Sequence, residues 1–304
     1  MMTEGTTGLQ QRIESGKRII LAEVSPPKGA DPVAMRALAG RFAGKVHALG
    51  ITDNRDGVCM SALAAASLAA SEGVEPILHV ATRDRNRIAL VSDCLGAQAL
   101  GIRNLLCTTG THQTLGPARA ARNVFDIDSI ILLRTYASLA ADASIVGEGS
   151  LNGTAPLCLG AVASPHVDPL ELEVMREAKK IAAGAQFLIT QPIFDLERFD
   201  LWWRQVTRRG LHEKVAIVAG VWPLASAEEA SAEAARRPSA MIPDAVVERI
   251  ASKSGAEGQR EAGIEIAVQT IERLSAASGL RGFEVRGHPD ASLAVIERAA
   301  LGAD

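Results

Sequence analysis

Short apolar runs alternate with amphipathic stretches from one end of this 304-residue chain to the other. Eight of these runs predict β-strands, at residues 19–24, 46–52, 76–81, 103–108, 157–162, 186–191, 214–219 and 282–286. Helical patterns lie between and after them, at residues 32–44, 60–72, 86–100, 128–144, 168–183, 195–209, 225–236, 243–253, 258–278 and 290–301. Strict strand–helix alternation is typical of α/β proteins, because each helix returns the chain to start the next parallel strand.

The alternation predicts an α/β fold in the form of a single-domain (β/α)8 barrel, or TIM barrel. Such barrels typically take about 250 residues, and a hydrophobic content of 47% supplies a large core. An open, doubly wound sheet is the alternative. We find no linker or low-complexity tract, so the barrel is assigned to residues 17–304. The polar residues 1–16 are predicted to be a poorly ordered tail.

Composition excludes several functional classes. The net charge of -3 provides no basic field for nucleic acid. The chain shows no signal-peptide core and no apolar run of the roughly 18 residues that a membrane span needs. The four cysteines are scattered and form no Cys/His cluster, so we predict no metal site and expect reduced, buried thiols. These features predict a soluble, cytoplasmic protein.

The segment 19–29, IILAEVSPPKG, carries the first chemical signal. Its apolar run reads as a buried strand that Pro26 and Pro27 end, which places Glu23 near the carboxyl end of the strand. A carboxylate held there against apolar neighbours can have a raised pKa and keep a proton near neutral pH. A salt-bridged or helix-capping glutamate is the alternative that the local sequence allows.

Polar residues also end most of the other predicted strands, and in a barrel these ends share one rim. The set comprises Thr52, Asp53, Asn54, His79, Thr82, Arg83, Asp84, Thr109, Gly110, Thr111, His112, Ser164, Pro165, His166, Gln191 and Trp222. No Walker or G-x-G-x-x-G motif accompanies them. Simpler interpretations stay open: His79 as a core histidine, Gln191 as a strand end, Lys180 as an exposed lysine, and Trp202–Trp203 as helix packing.

Seven segments of the chain resemble the methylenetetrahydrofolate reductases, flavin-containing (β/α)8 enzymes of one-carbon metabolism and methionine biosynthesis. They are AEVSPPKG (22–29), GITDN (50–54), ILHVATRDRN (77–86), LGIRNLLCTTGTHQ (100–113), NVFDIDS (123–129), AKKIAAGAQFLITQPIFD (178–195) and VAGVWPL (218–224). The similarity runs from about residue 19 to 225 and more loosely to the end. Their order along the chain is more specific than any one segment.

The resemblance implies a catalytic acid and a set of binding residues. Glu23 would protonate N10 of methylenetetrahydrofolate and open its five-membered ring to an iminium, and Gln191 would bind the folate. The positions that would contact FAD are Thr52, His79, Thr109, Gly110, Thr111, Phe125, Asp126 and Lys180. Hydride would pass through flavin N5, with NADH or NADPH as electron donor or acceptor. Homo-oligomers are common in the family.

Thr111 is the main departure from the family pattern. Many members carry an aspartate near flavin N1 at this position, and its loss would stabilise anionic reduced flavin. We therefore hypothesise that the enzyme can run oxidatively, from 5-methyltetrahydrofolate to 5,10-methylenetetrahydrofolate. The same change leaves open a flavin-independent reductase with direct hydride transfer from the nicotinamide. A pterin-binding barrel methyltransferase and a non-catalytic barrel subunit are the alternatives outside this enzyme class.

Overall fold

The computed structural model describes residues 6–145, 149–236 and 241–302. Eight parallel strands form a closed barrel. They are β1 (Ile19–Val24), β2 (Ala48–Ile51), β3 (Pro76–Ala81), β4 (Asn104–Thr108), β7 (Cys158–Ala163), β8 (Phe187–Pro192), β9 (Ala216–Val221) and β10 (Gly282–Arg286). Their order around the barrel is β1-β10-β9-β8-β7-β4-β3-β2. The closed (β/α)8 barrel is therefore confirmed, and the open doubly wound sheet is wrong, because β1 pairs with β10.

Helices surround the barrel at every position where the sequence predicts one. They are α2 (Pro32–Gly40), α3 (Ala62–Ser71), α4 (Arg87–Ala99), α5 (Ser129–Asp142), α6 (Leu170–Ala182), α7 (Leu196–Arg208), α8 (Ala227–Arg236), α9 (Asp244–Ala251), α10 (Gly255–Leu274) and α11 (Pro289–Arg298). Local chemistry sets several of their first residues. Asp31 caps α2 ahead of Pro32, and Asp128 accepts hydrogen bonds from two backbone N–H groups of α5.

Helix α1 and a small two-stranded sheet lie outside the sequence predictions. Residues 1–16 were expected to be poorly ordered, but Gly8–Glu14 form helix α1, capped by Thr7. Leu9 of α1 is fully buried against the barrel interior, and Glu75 accepts hydrogen bonds from the backbone of Gly8 and Leu9. Strands β5 (Ser144–Ile145) and β6 (Gly149–Ser150) pair as a small antiparallel sheet after α5. The apolar contact of α1 explains its order.

Alternation along each barrel strand separates two cores. Outward-facing residues such as Ile20, Ala22 and Val285 pack beneath the helices. Inward-facing residues at the amino-terminal half of the strands form a compact apolar plug that includes Leu21, Phe187 and Val218. Several inward positions nearer the carboxyl ends are polar, and this change creates the site described below. Among the described residues, no helix has the length and apolar character needed to cross a membrane.

Candidate active site

The carboxyl ends of the barrel strands surround a cavity of about 190 Å³, lined by both charged and apolar side chains. Its lining includes residues from seven of the eight barrel strands or the loops that follow them. They are Glu23, Thr52, Asp53, Arg55, His79, Ala81, Arg83, Leu106, Thr108, Gly110, Thr111, Leu115, Val162, Ile189, Gln191, Arg236, Glu284 and Arg286. Active sites of (β/α)8 enzymes lie at this face, because the loops that follow the strands converge there.

Glu23 lies at the centre of an ion-pair cluster in this cavity. Its side chain is only 6% exposed. Arg55, from the loop after β2, donates a hydrogen bond to Oε1, and the Nε of Arg286 lies 3.7 Å from the same oxygen. The environment is therefore ionic rather than apolar, unlike the surroundings that the sequence of β1 predicts. Two guanidinium groups favour a negatively charged partner.

Arg55 belongs to a chain of ion pairs across the mouth of the cavity. Its Nε lies 3.2 Å from Oδ2 of Asp56, and the other carboxylate oxygen of Asp56 pairs with Arg236 at the end of α8. The loop after β2 is thereby connected to a helix on the opposite arc of the barrel. Ser25 joins the same loop, accepting a hydrogen bond from Thr52 at 3.0 Å.

Two charged residues of the last strand complete the cluster, and the sequence predictions missed both. Glu284 is fully buried and accepts a hydrogen bond of 2.8 Å from Nη2 of Arg286. Burial, with the charge of Glu23 acting in the same sense, raises the pKa of Glu284 to about 7. The sequence did contain a signal. In GFEVR, charged residues occupy alternate positions of a strand whose other side is apolar, which points both charges into the barrel.

His79 faces the same cluster from β3. Its Nδ1 lies 3.9 Å from Oε2 of Glu23, and burial lowers the pKa of His79 to about 4, so the ring is neutral at pH 7. Gly50 makes room for the ring, because a Cβ at that position would lie 2.8 Å from Nε2. No described residue forms a hydrogen bond with Nε2 of His79. The sequence left two interpretations of His79; the structure makes it a buried histidine that also lines the cavity.

We expect His79 to make stability depend on pH. Its pKa is lower in the folded protein than in the unfolded chain, so the unfolded chain binds more protons between about pH 6.5 and 4. The contribution of neutral His79 is complete above that window and falls by up to about 1.4 kcal/mol per pH unit within it. Urea unfolding from pH 7 to 4.5 should give a shallower decline for His79→Gln than for the wild type. Equal slopes for the two proteins would refute this role.

Glu23, His79 and Glu284 each place one possible ligand atom within 4.8 Å of the others. No spacing in the sequence indicated this group, because its members lie on three different strands. Clusters of this composition can bind cations elsewhere. Here Arg55 and Arg286 already supply positive charge to the two carboxylates, so we assign no metal to it.

Arg83 fixes the rim between the loops after β2 and β4. Its guanidinium donates to the carbonyl oxygens of Asn54 and Thr111, each at 3.1 Å, and forms a two-point ion pair with Asp84. Gln113 donates a further hydrogen bond to Asp84 at 2.9 Å. Asp53 is occupied differently: it pairs with Arg85 and accepts from the backbone N–H of Ala81. These buried contacts make the rim a structural unit.

The other rim residues predicted from the sequence separate into two groups. Glu23, Thr52, Asp53, His79, Arg83, Gly110, Thr111 and Gln191 line the cavity. The structure does not bring Asn54, Thr82, Asp84, Thr109, His112, Ser164, Pro165, His166 or Trp222 to its wall. Trp202 and Trp203 are buried on α7, where Trp203 stacks on Phe199 and Trp202 packs against it at a tilt, as the packing interpretation predicts.

This architecture defines a (β/α)8 barrel protein with an ionisable cluster at the carboxyl ends of its strands, the usual position of a barrel enzyme's active site. The sequence matches the methylenetetrahydrofolate reductase family over residues 8–286. The chain therefore belongs to that family.

Two known proteins illustrate the relationship. The "Probable methylenetetrahydrofolate reductase (NADPH)" of Caenorhabditis elegans is 24% identical over 172 residues, which cover 56% of this chain and 24% of that protein. The match thus spans about a quarter of the relative's length. A solved structure from Clostridium thermocellum, described as an uncharacterized protein that binds two copies of 5-methyl-5,6,7,8-tetrahydrofolic acid, has a TM-score of 0.64. It is 15% identical, over 96% of this chain and 99% of that chain, and supports the fold.

The predicted FAD contacts do not form one continuous cradle. Thr52, His79, Gly110 and Thr111 line the cavity, but four others do not. Those four make other contacts: Thr109 with Ser129, Phe125 with His112, Asp126 with Arg87, and Lys180 with the carbonyl of Val162 at 2.7 Å and with Glu173 at 3.8 Å. A cavity of about 190 Å³ is also smaller than the roughly 300–1,000 Å³ of most ligand pockets. In this conformation the residues do not fit a flavin.

Proposed function

We propose that this protein interconverts 5,10-methylenetetrahydrofolate and 5-methyltetrahydrofolate, as a methylenetetrahydrofolate reductase. The observation that carries the proposal is the position of Glu23, buried at the floor of the cavity where β1 ends. Membership of the reductase family supports the reaction. The solved neighbour described as binding 5-methyltetrahydrofolate has the same fold, which agrees with a folate substrate.

Glu23 has the proposed role of proton donor to N10 of the folate. Protonation at N10 makes it a better leaving group, so the five-membered ring opens and the methylene carbon becomes an electrophilic iminium. That carbon then accepts a hydride and becomes the methyl group. Gln191, on β8, lines the cavity and has the proposed role of binding the pterin through its side-chain amide, which can donate and accept hydrogen bonds.

The residues of the site do not all support the same source of hydride. The family resemblance predicts dependence on FAD. Of the predicted FAD contacts, the cavity is lined by Thr52, His79, Gly110 and Thr111. Because the other four predicted contacts are engaged elsewhere, we attribute no step to a flavin. The same observation favours a second candidate, in which a reduced nicotinamide transfers its hydride directly to the iminium. Thr111, which has no carboxylate, is compatible with both candidates.

Anaerobic absorption spectroscopy of the purified protein separates these candidates. A bound chromophore with flavin bands that bleach on addition of 5-methyltetrahydrofolate would support the FAD-dependent enzyme and its oxidative direction. A protein that stays colourless after incubation with FAD, yet oxidises NADH or NADPH only when 5,10-methylenetetrahydrofolate is present, would support direct transfer. A protein that neither binds flavin nor reduces the folate with either nucleotide would contradict the reductase function.

A further inference from the structure

A second buried carboxyl group lies beside Glu23 and has no role in the chemistry described above. Glu284 faces the barrel interior from β10, the strand that pairs with β1, and both residues line the same cavity. Their carboxylates offer oxygen atoms within 4.8 Å of each other. Arg286 contacts both, at 2.8 Å from Glu284 and 3.7 Å from Glu23. The two carboxyl groups are thus coupled through one guanidinium.

The charges around Glu284 come from a small number of neighbouring elements. Arg286 belongs to its own strand, Glu23 to β1, His79 to β3 and Arg55 to the loop after β2. On the other flank β9 contributes only uncharged residues, AIVAGV. Two guanidinium groups therefore face two carboxyl groups and a neutral imidazole. Since Arg55 contacts Glu23 and not Glu284, the negative charge is better stabilised on Glu23.

One oxygen of Glu284 is available to carry a proton. Oε2 accepts the hydrogen bond from Arg286, whereas Oε1 is buried and has no hydrogen-bond partner among the residues that the structure describes. A buried, ionised and half-paired carboxylate is unfavourable, and protonation removes that cost. The raised pKa of Glu284, about 7, agrees with this argument. His79, with its pKa lowered to about 4, has no comparable proton to give at neutral pH.

We propose that Glu284 is a proton-supplying positioning residue that reloads Glu23 during turnover. The inference rests on the proposed reductase function. In the resting enzyme the proton lies on Glu284, and Glu23 is the carboxylate that Arg55 stabilises. The O–H bond of Glu284 breaks and an O–H bond forms on Glu23, which then gives that proton to N10 of the folate and becomes a carboxylate again. Solvent returns one proton to Glu284, so each reduction consumes one proton and one hydride.

The separation of the two groups sets a condition on the transfer. The two oxygen atoms lie within 4.8 Å of each other, a range that a direct hydrogen bond or one bridging water can span. Glu284 does not touch the folate in this scheme and acts only through Glu23. Its loss should therefore change the rate and its pH dependence, and leave folate affinity nearly unchanged.

Glu284→Gln, compared with wild type, Glu284→Asp and the surface control Glu72→Gln, tests the proposal. We expect kcat for folate reduction to fall about tenfold or more in Glu284→Gln. Its pH profile should lose the decline near pH 7, while KM for the folate stays within about threefold of wild type. Glu284→Asp, which can still carry a proton, should recover part of the rate, and Glu72→Gln should behave as wild type.

Infrared titration of the substrate-free proteins gives a readout that does not depend on turnover. A carboxylic-acid C=O band that titrates near pH 7 in wild type and is missing in Glu284→Gln is the expected result. An active wild type whose Glu284→Gln variant keeps the same kcat and pH profile would overturn the inference alone. A wild type with no folate-reducing activity would refute the proposed function. The proton transfer from Glu284 to Glu23 would then be refuted with it, even if the infrared band is present.

Discussion

Replacing Glu23 by glutamine is expected to lower the rate of 5,10-methylenetetrahydrofolate reduction by about 10²- to 10⁴-fold, the usual contribution of a general acid. Glutamine keeps the size of the side chain and can still accept a hydrogen bond from Arg55, but it cannot donate a carboxyl proton. The folate should still bind, so the loss should appear in kcat. The assay is folate-dependent oxidation of reduced nicotinamide, together with equilibrium binding of 5-methyltetrahydrofolate.

The control for this substitution is Glu72→Gln, which also removes a carboxylate from an ion pair with arginine. Glu72 pairs with Arg36 at 3.0 Å on the outer surface and does not line the cavity. Its replacement should leave both kcat and folate binding unchanged. A Glu23→Gln protein that binds folate and keeps kcat within about threefold of wild type would remove Glu23 from the mechanism.

Replacing Gly282 by alanine is expected to destabilise the protein by roughly 2–6 kcal/mol, the sum of backbone strain and overpacking. A Cβ at this residue would lie 1.8 Å from the carbonyl oxygen of Ile19 and 2.6 Å from its carbon. Gly282 also has a φ of +151°, which side chains rarely adopt. The obstructing atoms are backbone atoms of β1, at the seam where β10 closes the barrel, and they cannot move without breaking that pairing.

Gly44→Ala separates the two contributions. Gly44 has a φ of +69°, but no atom lies within 4 Å of the point that an alanine Cβ would occupy, so alanine there meets conformational strain without a clash. It should cost about 1–2 kcal/mol. Denaturant unfolding of both variants gives the difference. If Gly282→Ala lowers the free energy of unfolding by no more than Gly44→Ala does, the close approach of β1 and β10 does not require glycine at residue 282.

Most of the fold could be predicted from the order of local patterns. The barrel strands are short apolar runs buried on both faces, and the helices around them carry the helical period of elements buried on one side. Helix α1 and the β5–β6 sheet were exceptions. The order of α1 depends on Leu9 entering the barrel from below and on Glu75 accepting hydrogen bonds from its backbone. Neither contact can be recognised within residues 1–16.

From the sequence, a site residue could be predicted only where it lies at or just after the carboxyl end of a predicted strand. That rule placed Glu23, His79 and Gln191 on one cavity. It gave no account of what surrounds each of them. Lys180 illustrates the difficulty: the sequence aligns it with a flavin contact, yet packing turns its ammonium toward Val162 and Glu173.

Local patterns in the chain were enough to establish the alternating strands and helices, the polar strand ends and the position of Glu23. The three charged neighbours of that carboxyl group, Arg55, Glu284 and Arg286, became known from the folded barrel alone. Barrel closure explains the difference. Glu23 and Arg286 become neighbours because the first and last strands pair in one register, and that pairing joins segments too far apart in the chain for any local pattern to connect.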